Sequence, residues 1–324
     1  MKDDSRLFAS SEETLEDNYP KLYMPYMRSM KNGMFDVDDN TQLHYRYAVP
    51  KNAIATILLM PGRAESTIKY AELCYQLAHS GYAIFIYDHR GQGLSTRPAS
   101  NPQIGHVDRF TDYLDDAISI AETLVHKLIG SRLPMHLLAH SMGSAIAAGM
   151  LIKLNDVFKS AVLCSPMMGI NASIPAVVGS VLAEAGLLKE KMTGVSPRFF
   201  VGQSEFVSKP FQGNKLTSSI IRHNLFMQTH SNDASLQLGG IGNRWLLEAL
   251  KLMNYVLTDA YRINVPITIL RATEDKVVDN AAIKRVSHRI TQCKLIDIKG
   301  ARHEILFEKD AIRNIALSHI LEAF

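Results

Sequence analysis

Cysteine is scarce: Cys74, Cys164 and Cys293 are the only three in 324 residues. They lie too far apart for metal-ligand spacing, and an odd count without a pairing framework excludes a disulfide scaffold and fits a reducing compartment. No apolar run approaches the roughly 20 residues that crossing a bilayer requires. The opening residues Met1-Lys2-Asp3-Asp4-Ser5 are acidic and polar, where a secretory signal would be basic and then apolar. Charge of one sign is not in excess either, since 35 Lys and Arg stand against 32 Asp and Glu, a net charge of +3. With no basic run and no matching motif, nucleic acid is not an expected partner. Internal repeats, low-complexity stretches, H-E-x-x-H, a Walker A loop and a dinucleotide fingerprint are all missing, so neither a metal nor an organic cofactor is expected. The expectation is a cytoplasmic protein, soluble or at most held at a membrane surface.

What is present is ordinary globular composition, 47% hydrophobic and 21% charged, in a length that suits one large α/β domain carrying an insertion. Residues 1–32 read as an N-terminal arm with Tyr19, Tyr23 and Tyr26 as packing anchors. Residues 34–48 alternate and break at Asp38-Asp39-Asn40, a hairpin pattern. Continuous apolar runs at 54–60, 83–87, 135–139, 159–164, 267–270 and 295–298 predict strands buried on both faces. Helical stretches separate them, at 67–79, 108–128, after Ser141, at 281–290 and at 310–323. The alternation predicts an α/β fold, a mostly parallel sheet with helices on both faces. The span 165–245 carries no such strand and reads as a cap inserted over the strand ends, leaving 33–164 and 246–324 as the core.

The chain is organised around Met135 to Gly149. An apolar strand runs into Ala139-His140-Ser141-Met142-Gly143, and an Ala-rich helix follows at once. Small residues two before and two after the serine let strand and helix backbones nearly touch, as in the G-x-S-x-G nucleophile elbow of α/β-hydrolases, with Ala139 in place of the first glycine. A serine hydroxyl needs a base to take its proton, and the base needs a carboxylate to hold its tautomer. In this fold the chain order is serine, acid, histidine. His303, in the loop Gly300-Ala301-Arg302-His303 after the last strand, is the only one of twelve histidines in that place and order. Asp275 is preferred as the acid, a few residues past a strand end; Glu274 and Asp279 compete, the latter better suited to capping the next helix. His140 is expected to order the elbow, and His89 and His106 to be structural. An oxyanion hole needs two backbone N–H donors; Met142 and Arg63 are the candidates, with Gly62 letting the backbone approach.

Four blocks together resemble the monoacylglycerol lipase and lysophospholipase group of α/β-hydrolases, most of all its bacterial inner-membrane lysophospholipases. They are Pro61-Gly62-Arg63-Ala64-Glu65, Asp88-His89-Arg90-Gly91-Gln92-Gly93-Leu94-Ser95, the elbow, and Gly300-Ala301-Arg302-His303-Glu304-Ile305-Leu306. The resemblance spans about 61–165 and 266–324 and is far weaker in the arm and cap. It implies a serine hydrolase that cleaves a fatty acyl ester from a lysophospholipid or monoacylglycerol, placed peripherally on the inner face of the cytoplasmic membrane. The group commonly has histidine where this chain has Pro61, which leaves the support of the oxyanion loop unassigned, and the Asp88–Ser95 loop has no derivable chemistry. Apolar segments at 174–188 and 216–227, with Lys189, Lys191, Arg198, Lys209, Lys215 and Arg222 against Glu190 and Glu205, suit an anionic lipid surface or a solvated face over a packed helix equally. A peptidase or thioesterase on the same scaffold competes; an aminopeptidase should carry carboxylates in the cap to hold an amine. A catalytically inactive binding protein is the remaining alternative, and it should show a broken triad.

Overall fold

Strands β1 Lys31–Asp38, β2 Thr41–Ala48, β3 Ala55–Met60, β4 Tyr82–Tyr87, β5 Met135–His140, β6 Ser160–Cys164, β7 Ile267–Ala272 and β8 Cys293–Ile298 form one sheet in the computed structural model. The structure describes residues 10–154, 156–172, 174–195 and 197–324; the polar start at residues 1–5 lies outside them. Strand order is β1-β2-β4-β3-β5-β6-β7-β8. The β1–β2 hairpin and the β2–β4 pair are antiparallel, and every pair from β4 through β8 is parallel. Parallel strands must be joined by crossovers. The crossovers and flanking helices are α1 Glu12–Asn18, α2 Met24–Ser29, α3 Ala71–His79, α4 Phe110–Ser119, α5 His126–Ile129, α6 Met142–Lys153, α7 Ala176–Thr193, α8 Ile220–Asn232, α9 Asn243–Asp259, α10 Asn280–Ser287 and α11 Asp310–Ala323. The expected long helix at 108–128 is α4 and α5 joined by a π-helical segment, Ile120–Val125.

Side chains of a strand alternate between faces, and here both faces are covered. Leu58 and Met60 of β3 and Leu137 and Ala139 of β5 enter one core with α4, α6 and α9. Ile57 and Leu59 of β3 and Leu138 of β5 enter the other, with the arm, α3 and α11. Each fully buried Leu or Ile contributes about 1.5–3 kcal/mol, which is why these strands read as unbroken apolar runs. Helix α6 is buried from Met142 to Ile152, so it needs small residues all round. A Cβ at Gly149 would lie 2.9 Å from Leu114 Cδ2 and 3.0 Å from Leu252 Cδ1; glycine lets α4 and α9 close on the helix. The arm is a working part of the second core: Leu15, Tyr23, Met27 and Met30 are buried, and Tyr23 and Tyr26 meet Tyr75 of α3 edge-on at 5.2 and 5.5 Å.

Between β6 and α9 the described residues hold no strand, only α7, α8, a 3-10 turn at Ala234–Leu236 and isolated bridges. The two helices behave oppositely. Helix α8 packs Ile221 and Leu225 on the second core, and its Arg222 is buried against Glu72 of α3 and Asp310 of α11 at 2.8 Å each. Arg222 therefore faces the protein and is not free for a lipid surface, because the guanidinium has found two carboxylates, while Ile220 of the same segment stays exposed. Helix α7 instead leaves Val177, Val181 and Met192 at 76%, 59% and 79% exposure. No helix among the described residues is long and apolar enough to cross a membrane.

Candidate active site

Strand β5 ends at His140, and Ser141 takes φ 50°, ψ −114°, a strained corner from which α6 departs. A non-glycine residue at positive φ is uncommon, and such strain persists only where the surroundings enforce it. Here they do. A Cβ at Gly143 would stand 2.3 Å from the Pro61 carbonyl oxygen and 2.4 Å from that of Met60, so the elbow and the end of β3 touch backbone to backbone.

Two loops from the far strands converge on this corner. After β8, Gly300 turns at φ 73° and the chain delivers His303, whose Nε2 lies 2.9 Å from Ser141 Oγ. After β7, Asp275 places Oδ2 2.8 Å from His303 Nδ1, while its Oδ1 accepts from Val277 and Val278 N–H at 2.7 and 3.0 Å. Burial raises the Asp275 pKa, but the hydrogen bond and charge of His303 and the two backbone donors outweigh it, and the net direction is down. The carboxylate stays ionised and acceptor-only, so Nδ1 carries the proton and Nε2 faces the serine as a base. Glu274 is exposed, and Asp279 caps α10 by accepting from Ala281 N–H. The structure thus brings Ser141, His303 and Asp275 together and leaves the other two carboxylates out.

In the 61–65 loop, Gly62 N–H donates to Glu65 Oε2 and Ala64 N–H to Gln92 Oε1. Among the described residues the Arg63 N–H has no acceptor, and neither has that of Met142 in the first turn of α6. Two unclaimed donors beside a hydroxyl are what an oxyanion hole requires.

Support for this loop comes from His89 and His140, in the structural roles expected of them, and from Gln92, Glu65, Lys69 and Glu304, whose roles could not be read in sequence. His89 Nε2 lies 3.0 Å from the Pro61 carbonyl, and burial lowers its pKa to about 4; a carbonyl can only accept, so the neutral ring donates through Nε2. Gln92 Nε2 donates to the Gly62 and Glu65 carbonyls at 2.8 and 3.1 Å. The Asp88–Ser95 loop is therefore the brace of the 61–65 loop. Behind it, Glu65 accepts from Tyr70 hydroxyl and from Lys69 Nζ, and Lys69 also reaches Glu304 at 2.6 Å. His140 spans Glu65 through Nδ1, 3.2 Å, and the His303 carbonyl through Nε2, 3.1 Å. Both its partners accept, so both ring nitrogens are protonated. Burial opposes that charge, Glu65 outweighs burial, and the His140 pKa is raised. Two cations and two carboxylates in one buried cluster thus join the 61–65 loop, the elbow and the loop that carries His303. The sequence signals were His140 adjoining Ser141, Glu65 and Lys69 four apart, and a glutamate following His303. Among the described residues no group of three His, Cys, Asp or Glu side chains is placed to hold a metal.

Residues 51–310 match the family described as serine aminopeptidase, S33. The chain belongs to that family. Lysophospholipase L2 of Escherichia coli K12 is 36% identical to it over 282 residues, 83% of this chain and 79% of that protein. Probable lysophospholipase L2 of Haemophilus influenzae is 32% identical over 302 residues, 92% and 93% of the two chains. Among solved structures, a soluble variant of monoglyceride lipase from Saccharomyces cerevisiae, bound to a substrate analogue, superposes with a TM-score of 0.71 at 16% identity, covering 90% of this chain and 93% of that one. That likeness speaks to the fold, the α/β-hydrolase fold that the elbow and the four sequence blocks implied.

Proposed function

We propose that this chain is a serine hydrolase that removes one fatty acyl group from a lysophospholipid or monoacylglycerol through an acyl-enzyme. The observation that carries the reading is the continuous hydrogen-bonded relay from Asp275 through His303 to Ser141, beside the unclaimed Arg63 and Met142 N–H groups. Ser141 Oγ attacks the acyl carbonyl while His303 Nε2 takes its proton, and Asp275 stabilises the imidazolium. The carbonyl oxygen, now negative, is received by the two N–H groups. His303 then gives the proton to the departing glycerol oxygen, leaving the acyl group on Ser141. Water repeats the sequence in reverse and releases the fatty acid. The lipid class rests on relatives named lysophospholipase L2 and on those named monoglyceride lipase.

In this reading 165–245 forms a cap over a core of 33–164 and 246–324, with 1–32 as the arm. Helix α7 is its membrane-facing part, since Val177, Val181, Leu188 and Met192 are exposed beside exposed Lys189 and Lys191. This largely apolar stripe, interrupted only by exposed Glu184 and flanked by lysines, fits an anionic bilayer surface. Peripheral placement on the cytoplasmic face also agrees with Cys74 and Cys164 being buried free thiols.

The family description raises the aminopeptidase reading, which needs a carboxylate free to hold a substrate amine. The buried carboxylates near the relay are committed: Glu65 and Glu304 to Lys69, Glu190 to Asn243 and the Arg198 N–H, and Asp275 to His303. The deciding assay compares a lysophospholipid, a monoacylglycerol, p-nitrophenyl butyrate and aminoacyl p-nitroanilides on the wild-type chain and Ser141→Ala. Fatty acid release by the wild-type chain alone is expected. Anilide cleavage without fatty acid release would replace the lipid reading.

A further inference from the structure

Arg63 stands apart once the ion pairs of the site are assigned. Its guanidinium has no carboxylate partner among the described residues. Nη1 donates to the Gly239 carbonyl at 2.9 Å, and Cζ lies 5.9 Å from the centre of the Trp245 ring. Nε and Nη2 carry no hydrogen bond, and neither is sealed from solvent. Burial lowers the Arg63 pKa to about 10, the direction expected of a partly desolvated cation without a counter-charge. The loop's own carboxylate, Glu65, is held by Lys69, Tyr70 and the Gly62 N–H. Space is kept for the side chain, since a Cβ on Gly105 would lie 3.1 Å from Nη1. A half-buried guanidinium left unpaired is unfavourable until an anion completes it, and its planar fork of donors matches phosphate oxygens.

We propose that the Arg63 side chain anchors the phosphate of a lysophospholipid whose acyl carbonyl oxygen sits on the Arg63 and Met142 N–H groups. This deepens the reading above and rests on it. The spans agree: about six bonds separate the acyl carbon from phosphorus in a 1-acyl glycerophospholipid, and about six separate the Arg63 amide nitrogen from Cζ. One residue thus receives both the developing oxyanion and the headgroup. A monoacylglycerol offers the guanidinium only neutral hydroxyl oxygens in place of a charged phosphate, so Arg63 sets the preference between the two lipid classes. A free phosphate monoester such as sn-glycerol 3-phosphate shares the chemistry and should occupy the same place.

The test uses the full chain with Arg63→Met and Arg63→Lys. It measures kcat/KM for 1-oleoyl lysophosphatidylethanolamine and for 1-oleoylglycerol in the same neutral-detergent micelles. A second arm measures inhibition of p-nitrophenyl butyrate hydrolysis by sn-glycerol 3-phosphate. The wild-type chain should prefer the phosphate-bearing lipid. In Arg63→Met the ratio of the two kcat/KM values should fall about 10- to 100-fold, the range for losing a charged hydrogen-bond partner. The loss should lie chiefly in KM, with part restored by Arg63→Lys. Inhibition by the phosphate ester should be present in the wild-type chain and lost in Arg63→Met. Equal losses on both lipids would mean that Arg63 merely braces Gly239, and would overturn the proposal, as would a wild-type chain indifferent to phosphate in both arms. If the soluble ester is cleaved and neither lipid is, the lipid reading falls. The inhibition arm then still decides the anchor: Arg63-dependent inhibition supports it and its absence overturns it.

Discussion

Replacing Asp275 by asparagine should reverse the tautomer of His303, and the surrounding hydrogen bonds fix the direction. Oδ1 of Asp275 accepts from two backbone N–H groups, those of Val277 and Val278, at 2.7 and 3.0 Å. An asparagine must keep its oxygen there, because an amide NH2 would face two donors. Its NH2 is then forced toward His303 Nδ1, where Oδ2 now lies at 2.8 Å. Nδ1 must become the acceptor, the ring proton moves to Nε2, and Nε2 can no longer take the Ser141 proton. In the best-studied serine protease the same exchange lowers kcat about 10⁴-fold, equivalent to roughly 5.4 kcal/mol of barrier. A comparable loss is expected for Asp275→Asn on p-nitrophenyl butyrate, with thermal unfolding little changed. Glu274→Gln alters an exposed side chain, and Asp279→Asn exchanges one good helix cap for another, so both should stay within a few-fold of the wild-type rate. The reasoning is refuted if Asp275→Asn, folded, retains more than about a tenth of the wild-type kcat, or if Asp279→Asn is the most damaging of the three.

Glu65→Gln breaks a buried pair with Lys69 and should lower stability by about 3–5 kcal/mol along with kcat, seen together in denaturant unfolding and ester turnover; an intact rate in a destabilised chain would detach the cluster from the oxyanion loop. Glu72 lies between Arg313 and Arg222, and although burial raises its pKa these cations win and bring it to about 2. Its folded pKa is thus below its unfolded value, so its stabilisation, about 3 kcal/mol, is complete above the unfolded pKa near 4.5 and is lost as pH falls toward 2. Acid should therefore lower the melting temperature of the wild-type chain more steeply than that of Glu72→Gln, and parallel curves would contradict this. Exchanging Val177, Val181 and Met192 for serine should weaken co-sedimentation with anionic vesicles, and Lys189→Gln with Lys191→Gln should remove its salt dependence; binding untouched by both sets would leave α7 as a plain cover.

The sheet was legible because its central strands, β3 to β7, are buried on both faces and each is punctuated by a turn. Strand β8, expected to be equally buried, is instead an edge strand with Lys294 and Asp297 exposed, since no further strand covers it. Ser141, Asp275 and His303 could be placed because Ser141 follows directly on β5 and the other two lie in the short loops after β7 and β8, where chain order leaves little choice. What escaped the sequence depends on partners far along the chain. Glu304 meets Lys69 across 235 positions and Gln92 reaches the Gly62 carbonyl across 30, and no periodicity encodes such pairs. The same limit explains α8. Its apolar and basic residues look like a lipid-facing helix, yet Arg222 is turned inward by Glu72, 150 positions away. Helix α7, whose apolar residues look equally like core, is the one left exposed.

Whether Ser141 is the nucleophile is tested most directly by its covalent chemistry. The folded chain, incubated with a fluorophosphonate and then digested, should carry one adduct, on the peptide containing Ser141. Ser141→Ala should carry none, and His303→Ala should label far more slowly while still folded. An adduct that persists in Ser141→Ala, or that maps to another residue, would contradict the account.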